Sequence, residues 1–303
     1  MVWKVIKKDI RRNYPLYLII LPTLIYFLVF SYGPLVGLLM AFENYKPKLG
    51  FFGSEFVGLK HFRDFFGSYY FLRLLRNTFL ISFYDLIAGF PAPIIFALLL
   101  NEVRHKFFKK TIQTISYLPY FVSLVVVCSL VTQFTNGSGM ITQVWSFFSG
   151  KEPQNLLALP QYFRSIFVGS GIWQNLGYNS IIFIAALAGI DQELYEAAVL
   201  DGANRWKQTL HVTLPGIAAT IVILLILRCG SLLSVGYEKV ILLYGPGTYE
   251  TGDVISSFVY RKGLQEFNYG YSTAVGLFNS VVSLILLLTV NKISKKVTST
   301  GLF

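Results

Sequence analysis

Two charged residues stand in stretches of chain that are otherwise apolar, and any chemistry in those stretches would have to involve them. Arg228 lies ~18 Å along a helix that starts at Gly216, and Asp85 lies ~14 Å along one that starts at Arg76, at 1.5 Å per residue. An ionisable group at the centre of a spanning helix costs roughly 2.5 to 3.5 kcal/mol on insertion scales, so each needs a partner or a task. Their depths match and they could pair. A structural ion pair and a place on the wall of a polar cavity both remain open. Tyr178, Asn179, Tyr237 and Asn279, in or beside the apolar runs, add neutral hydrogen-bonding groups suited to the hydroxyls of a polar solute. Trp173 adds a flat face for stacking, and packing within a bundle competes with each of these roles.

Other chemistries find no footing in the pattern. His61, His105 and His211 are far apart in sequence, without a His-Glu-x-x-His or paired-cysteine spacing, so no metal site is expected. No Gly-x-x-x-x-Gly-Lys-Ser/Thr loop is present to cradle nucleotide phosphates. No nucleophile and base stand in register, and no catalytic residue is expected. Cys128 and Cys229 fall inside apolar runs, where they read as small hydrophobes.

The elements that carry these residues follow from composition. The 303 residues are 54% hydrophobic and 14% charged, against roughly 25% charged in ordinary soluble domains. The mean hydropathy is +0.57. The apolar residues gather into six runs, each close to the ~20 residues that cross a hydrocarbon core. They are Leu16 to Phe42, Arg76 to Leu100, Thr111 to Phe134, Ile166 to Ile190, Gly216 to Val235 and Ala274 to Val290. The expectation is an all-α polytopic membrane protein with six transmembrane helices, kinked at Pro22, Pro34, Pro91 and Pro93. The net charge of +11 fits lipid headgroups better than nucleic acid, because Lys4, Lys7, Lys8, Arg11 and Arg12 cluster at the end of a run. Fourteen Lys and Arg fall in one set of connections and ten, Lys239 among them, in the longer opposite set, which places both termini in the cytoplasm. Residues 1–15 and 292–303 then read as cytoplasmic ends around a unit at 16–291. Phe56 to Phe66 has aromatics at helical intervals and suits a helix lying in the membrane interface.

One connection differs in kind, the segment 191–215. Asp191 suits an N-cap, Glu193 sits in the first turn where the helix dipole favours a carboxylate, and Gly202 suits a left-handed C′ position. These residues predict a short helix, a tight turn at Asp201-Gly202 and a second helical stretch from Asn204. Ala197 and Ala198 leave a thin side where another protein can approach closely. Connections in bundles need only about two to eight residues, so a folded insert of this length is there to be touched.

Glu196-Ala-Ala-Val-Leu-Asp-Gly-Ala203, followed by Leu214-Pro215, resembles the EAA loop of the permease subunits of bacterial ABC importers. Phe56-Val-Gly-Leu59, Ser116-Tyr-Leu-Pro119, Arg228 to Leu233, Gly236-Tyr-Glu-Lys239 and Tyr249-Glu-Thr251 resemble the carbohydrate-uptake branch, most of all its LplB-type polysaccharide permeases. Gln192 departs from the proline usual at that helix start, and Ala218-Ala219 stand where a further proline is common. The resemblance implies a type I importer bundle that translocates an oligosaccharide or related carbohydrate. It implies that Glu196, Ala197, Ala198, Asp201, Gly202 and Ala203 form a coupling helix seated in a cytoplasmic ATPase. It implies a second permease, an ATPase dimer that holds ATP and Mg2+, an extracellular substrate-binding protein and a bacterial cell membrane, with no cofactor on this chain. An ion-coupled secondary transporter is the alternative, but such folds show paired, interrupted halves, and no internal repeat is visible.

Overall fold

The computed structural model describes Asp9 and residues 12–233 and 235–298. The basic cluster at Lys4, Lys7, Lys8 and Arg11, Ser234 and the tail from 299 onward lie outside the described residues. Among the described residues the fold is all-α apart from a two-residue antiparallel pairing, Glu43 opposite Phe56 and Asn44 opposite Glu55.

Helix α1 (Tyr14–Phe27) continues through Leu28–Tyr32 into Gly33–Phe42. A short helix α2 (Lys60–Phe66) leads to α3 (Tyr70–Tyr84) and α4 (Pro91–Glu102). Then come α5 (Lys106–Tyr117), α6 (Leu124–Thr135), α7 (Met140–Ser149) and the long α8 (Pro160–Ala188). The segment 191–215 supplies α9 (Gln192–Leu200) and α10 (Arg205–Gln208), followed by α11 (Ala218–Gly230). Finally α12 (Tyr237–Leu243) and α13 (Ile255–Tyr260) precede α14 (Tyr269–Thr298).

Among the described residues, four stretches are long and apolar enough to cross a membrane: Tyr14–Phe42, Tyr70–Glu102, Leu124–Ser149 and Tyr269–Lys296. Arg205–Gly216 with Ala218–Gly230 makes a fifth if the pair, bent by 61°, is one span. Helix α8 has 29 residues, ~43 Å, but carries Gln174, Asn175 and Asn179. Its most extensive contact is with α4, and these polar residues line cavities beside it.

Two expected helices need correction. The run from Thr111 to Phe134 is not one helix, because Val122 is extended and Ser123 starts α6 by accepting the Val126 N–H. Pro119 weakens that junction because it cannot donate the bond that would carry α5 onward. The run from Gly216 to Val235 ends early, at Gly230. The segment 56–66 is also less free than an interfacial helix, since Phe65 is buried against Leu74, Phe258 and Val275.

Prolines shape the spans in a repeated way. Gly33, Phe90 and Leu214 each donate a backbone bond five residues back, to Leu28, Asp85 and Thr209, and each immediately precedes a proline. A proline ring clashes with the carbonyl four residues back, and a turn widened by one residue moves that carbonyl away. Pro22 sits within α1 with no such turn.

Candidate functional site

The widened turn at Asp85–Gly89 carries Asp85 on the wall of a cavity. Gly89 leaves room for its carboxylate, since a Cβ there would stand 2.7 Å from Oδ1. Arg228, in the last turn of α11, forms an ion pair with Asp85 through its guanidinium. The pairing expected from depth is therefore present. It is not sealed, for half of the Arg228 side chain remains exposed. The two residues border a cavity of about 530 Å3 whose other walls include Gly89, Tyr120, Asn175 and Asn179. An adjoining cavity of about 300 Å3 shares Asp85, Gly171, Asn175, Arg228 and Ser231, so the ion pair stands between the two.

Of the residues expected along this path, Asp85, Arg228 and Asn179 meet at the cavity. Tyr178 does not line it. Its ring stacks on Tyr120 at 3.7 Å and 3°, and Tyr120 is the wall residue. Tyr237 stacks on Tyr260 instead. Asn279 donates to the Leu233 carbonyl at 3.4 Å, and Ser82 donates to the Leu232 carbonyl, so both hold the chain just past the end of α11. Trp173 lies in a separate apolar crevice with Phe134 and Trp145. Sequence reasoning missed Asn175, although it lies one turn before Asn179 on the same face of α8.

The segment 191–215 folds as its residues dictate. Asp191 accepts the Glu193 N–H at 3.0 Å, and Gly202 takes φ +74° while the Ala203 N–H returns to the Ala198 carbonyl at 2.9 Å. Asn204 caps α10 by accepting the Lys207 N–H at 2.9 Å. Glu196, Ala197, Asp201 and Gly202 are exposed, with Ala198 and Ala203 half-buried. Leu200, 88% exposed, and Trp206, 70% exposed, add apolar surface that the sequence reading did not single out. Tyr195 shares a hydroxyl hydrogen bond of 3.0 Å with Thr213, tying α9 to the segment that bends into α11.

A second charged cluster lies away from the cavity. Asp253 is fully buried. Arg261 donates to both of its carboxylate oxygens at 3.2 and 2.6 Å, Ser257 donates to Oδ1 at 2.8 Å, and Arg73 stands 3.8 Å from Oδ2. Burial alone would favour loss of the Arg261 proton, but Asp253 outweighs it and raises the guanidinium above its ordinary value. Asn77 donates to the Asp253 and Glu250 carbonyls and accepts from Arg164 at 2.8 Å. Arg164 and Arg261, counted among the outer-loop cations, are thus tethered. Lys239, counted with them, has its side chain buried against Phe167.

Residues 89–299 match the family described as the binding-protein-dependent transport system inner membrane component. The chain belongs to this family. It is 46% identical over 295 residues to protein LplB of Bacillus subtilis (strain 168), covering 97% of this chain and 92% of that one. It is 44% identical to the polygalacturonan/rhamnogalacturonan transport system permease protein YteP of the same organism, over 98% and 92% of the two chains. A bacterial alginate ABC transporter, solved in complex with an alginate pentasaccharide-bound periplasmic protein, superposes on this permease-family chain with a TM-score of 0.89. It is 44% identical and covered at 97% of this chain and 99% of its own. The family settles the all-α polytopic expectation and its placement in a membrane, and lends the ion-coupled alternative no support.

Proposed function

We propose that this chain is one of two permease subunits of an ATP-driven importer and carries an oligosaccharide handed over by an extracellular binding protein. The observation that carries the reading is a mechanical connection. The exposed tip of α9 at Leu200, beside Trp206 of α10, is tied by Tyr195 to the bent segment that continues into α11, and α11 ends at the cavity with Arg228. In this reading Glu196, Ala197, Ala198, Asp201, Gly202 and Ala203 seat in a cytoplasmic ATPase dimer, which holds ATP and Mg2+. This chain hydrolyses nothing and binds no cofactor. Asp85, Arg228, Asn175 and Asn179 line the path, and the relatives' glycan transport supports a carbohydrate as cargo. Residues 16–291 form the transporting unit, and 1–15 and 292–303 lie in the cytoplasm.

The test is reconstitution with the partner subunits. The chain should co-purify with an ATPase, and glycan delivered by the binding protein should stimulate hydrolysis and enter vesicles. A purified chain that moves a solute on an ion gradient alone would overturn the proposal. Orientation is checked separately with single cysteines in a Cys-free variant. Ser138→Cys should react with an impermeant thiol reagent in intact cells and Lys110→Cys should not; the reverse pattern would invert the topology.

A further inference from the structure

The 300 Å3 cavity is walled by two cations, Arg228 and Lys239, and by a single carboxylate, Asp85. Asp85 is already committed to Arg228. Lys239 is 9% exposed, and its Nζ donates to the Phe167 carbonyl at 2.8 Å while standing 4.7 Å from the centroid of the Phe167 ring. An ammonium has three donors, so one carbonyl leaves two of them unused. Among the described residues no carboxylate forms an ion pair with Lys239. A buried charge with no counter-ion is expensive to maintain, and its ordinary remedy would be a carboxylate nearby. The fold instead leaves space beside it. Gly171, on the wall of both cavities, has no side chain, and a Cβ there would approach Nζ to 3.2 Å.

We propose that Lys239 reads a negative charge on the transported glycan, so that the smaller cavity accepts the carboxylate of an acidic sugar while the neighbouring rings extend past Arg228 into the larger one. The surplus of one positive charge matches one carboxylate. A phosphate monoester, close to −2 at neutral pH with its second pKa near ~6, would overshoot it. The inference rests on the reading of these cavities as the transport path and names the class of cargo that the path selects. It also gives a task to the Gly236-Tyr-Glu-Lys239 sequence, which the coupling segment does not explain.

The experiment compares trigalacturonate with its carboxyl-reduced, neutral trisaccharide as ligands of the purified full transporter without its binding protein, so that the binding protein's own preference plays no part. Wild type should bind the acidic trisaccharide more tightly, and glycerol 3-phosphate should compete poorly. Lys239→Gln keeps a donor for the Phe167 carbonyl and loses the charge. It should weaken trigalacturonate binding by about tenfold or more, as expected for a hydrogen bond to a charged group, with the neutral ligand unchanged. Lys239→Arg should restore most of the preference. Thermal unfolding of each variant shows whether the bundle survives, and if Lys239→Gln does not fold, Gly171→Ala, which crowds the ammonium without removing it, carries the same comparison. An acidic-to-neutral ratio unchanged in the folded variant overturns the proposal, as does wild-type preference for the neutral trisaccharide or for glycerol 3-phosphate. If wild type binds no glycan at all, the path reading falls and this inference falls with it.

Discussion

Asp253 and Asp85 are both carboxylates facing arginines, and they are built for opposite ends. Asp253 is fully buried, receives two donors from Arg261 and one from Ser257, and has Arg73 beside it. Its interactions join the end of the 246–261 region to α3. Asp85 has one arginine, and that arginine is half exposed to a cavity. Three accepted hydrogen bonds and a second guanidinium close by leave the Asp253 carboxylate little capacity for a ligand, and it locks elements together. An unsaturated pair between two cavities holds the helices loosely and keeps hydrogen-bonding capacity for whatever enters.

That difference should show first in stability. Asp253→Ala leaves the partly buried Arg261 and Arg73 without their counter-charge and should cost about 3 kcal/mol, seen as a large drop in the melting temperature of the solubilised transporter. A melting temperature equal to wild type would erase the contrast. Next, Gly202→Leu forces a branched side chain into φ +74°, a strain of roughly 1 to 2 kcal/mol confined to the coupling turn. It should uncouple ATP hydrolysis from transport with the bundle intact, and coupled transport at the wild-type rate would remove Gly202 from the docking site. Arg228→Leu removes a partly solvated partner and should lower stability by at most about 1 kcal/mol, while uptake falls severely. The double variant Asp85→Leu with Arg228→Leu should fold and still transport poorly, and recovery of uptake would reduce the pair to a structural link. The smallest effect belongs to Arg205→Ala. Its partner Glu102 lies 3.6 Å away with both side chains well exposed, so the loss should stay near ~0.5 kcal/mol or below. A larger fall would mean that the pair braces the coupling segment.

What the sequence disclosed follows the range of the interactions. The Asp191 cap and the Gly202 turn were legible because each depends on residues within a few positions. The Asp85–Arg228 pair spans 143 positions, yet counting depth along two helices was enough to bring the residues level. The burial of Lys239 was not legible because nothing near it in the chain announces Phe167, 72 positions away. Asn279 was drawn to the path by its polarity, whereas its neighbour is the carbonyl of Leu233 beyond a helix end. Pro119 was in plain view, but whether a proline breaks a helix or is absorbed depends on what surrounds it. Pro91 is absorbed by a widened turn, and the chain after Pro119 turns extended at Val122.

The bend at Ile217 sets the scale on which a push at the coupling helix would be felt. Arg228 lies eleven residues beyond it, a lever arm of ~16 Å, so a tilt of ~10° about the bend would sweep its backbone by ~3 Å. That displacement is about the length of a hydrogen bond, enough to part the guanidinium from Asp85 without unwinding any helix. Asp85 sits on its own joint, the widened turn before Pro91, so the two jaws are mounted on separate pivots. In the proposed importer, a small rotation at the coupling helix would thus be geared into a larger parting of the two jaws at the cavity.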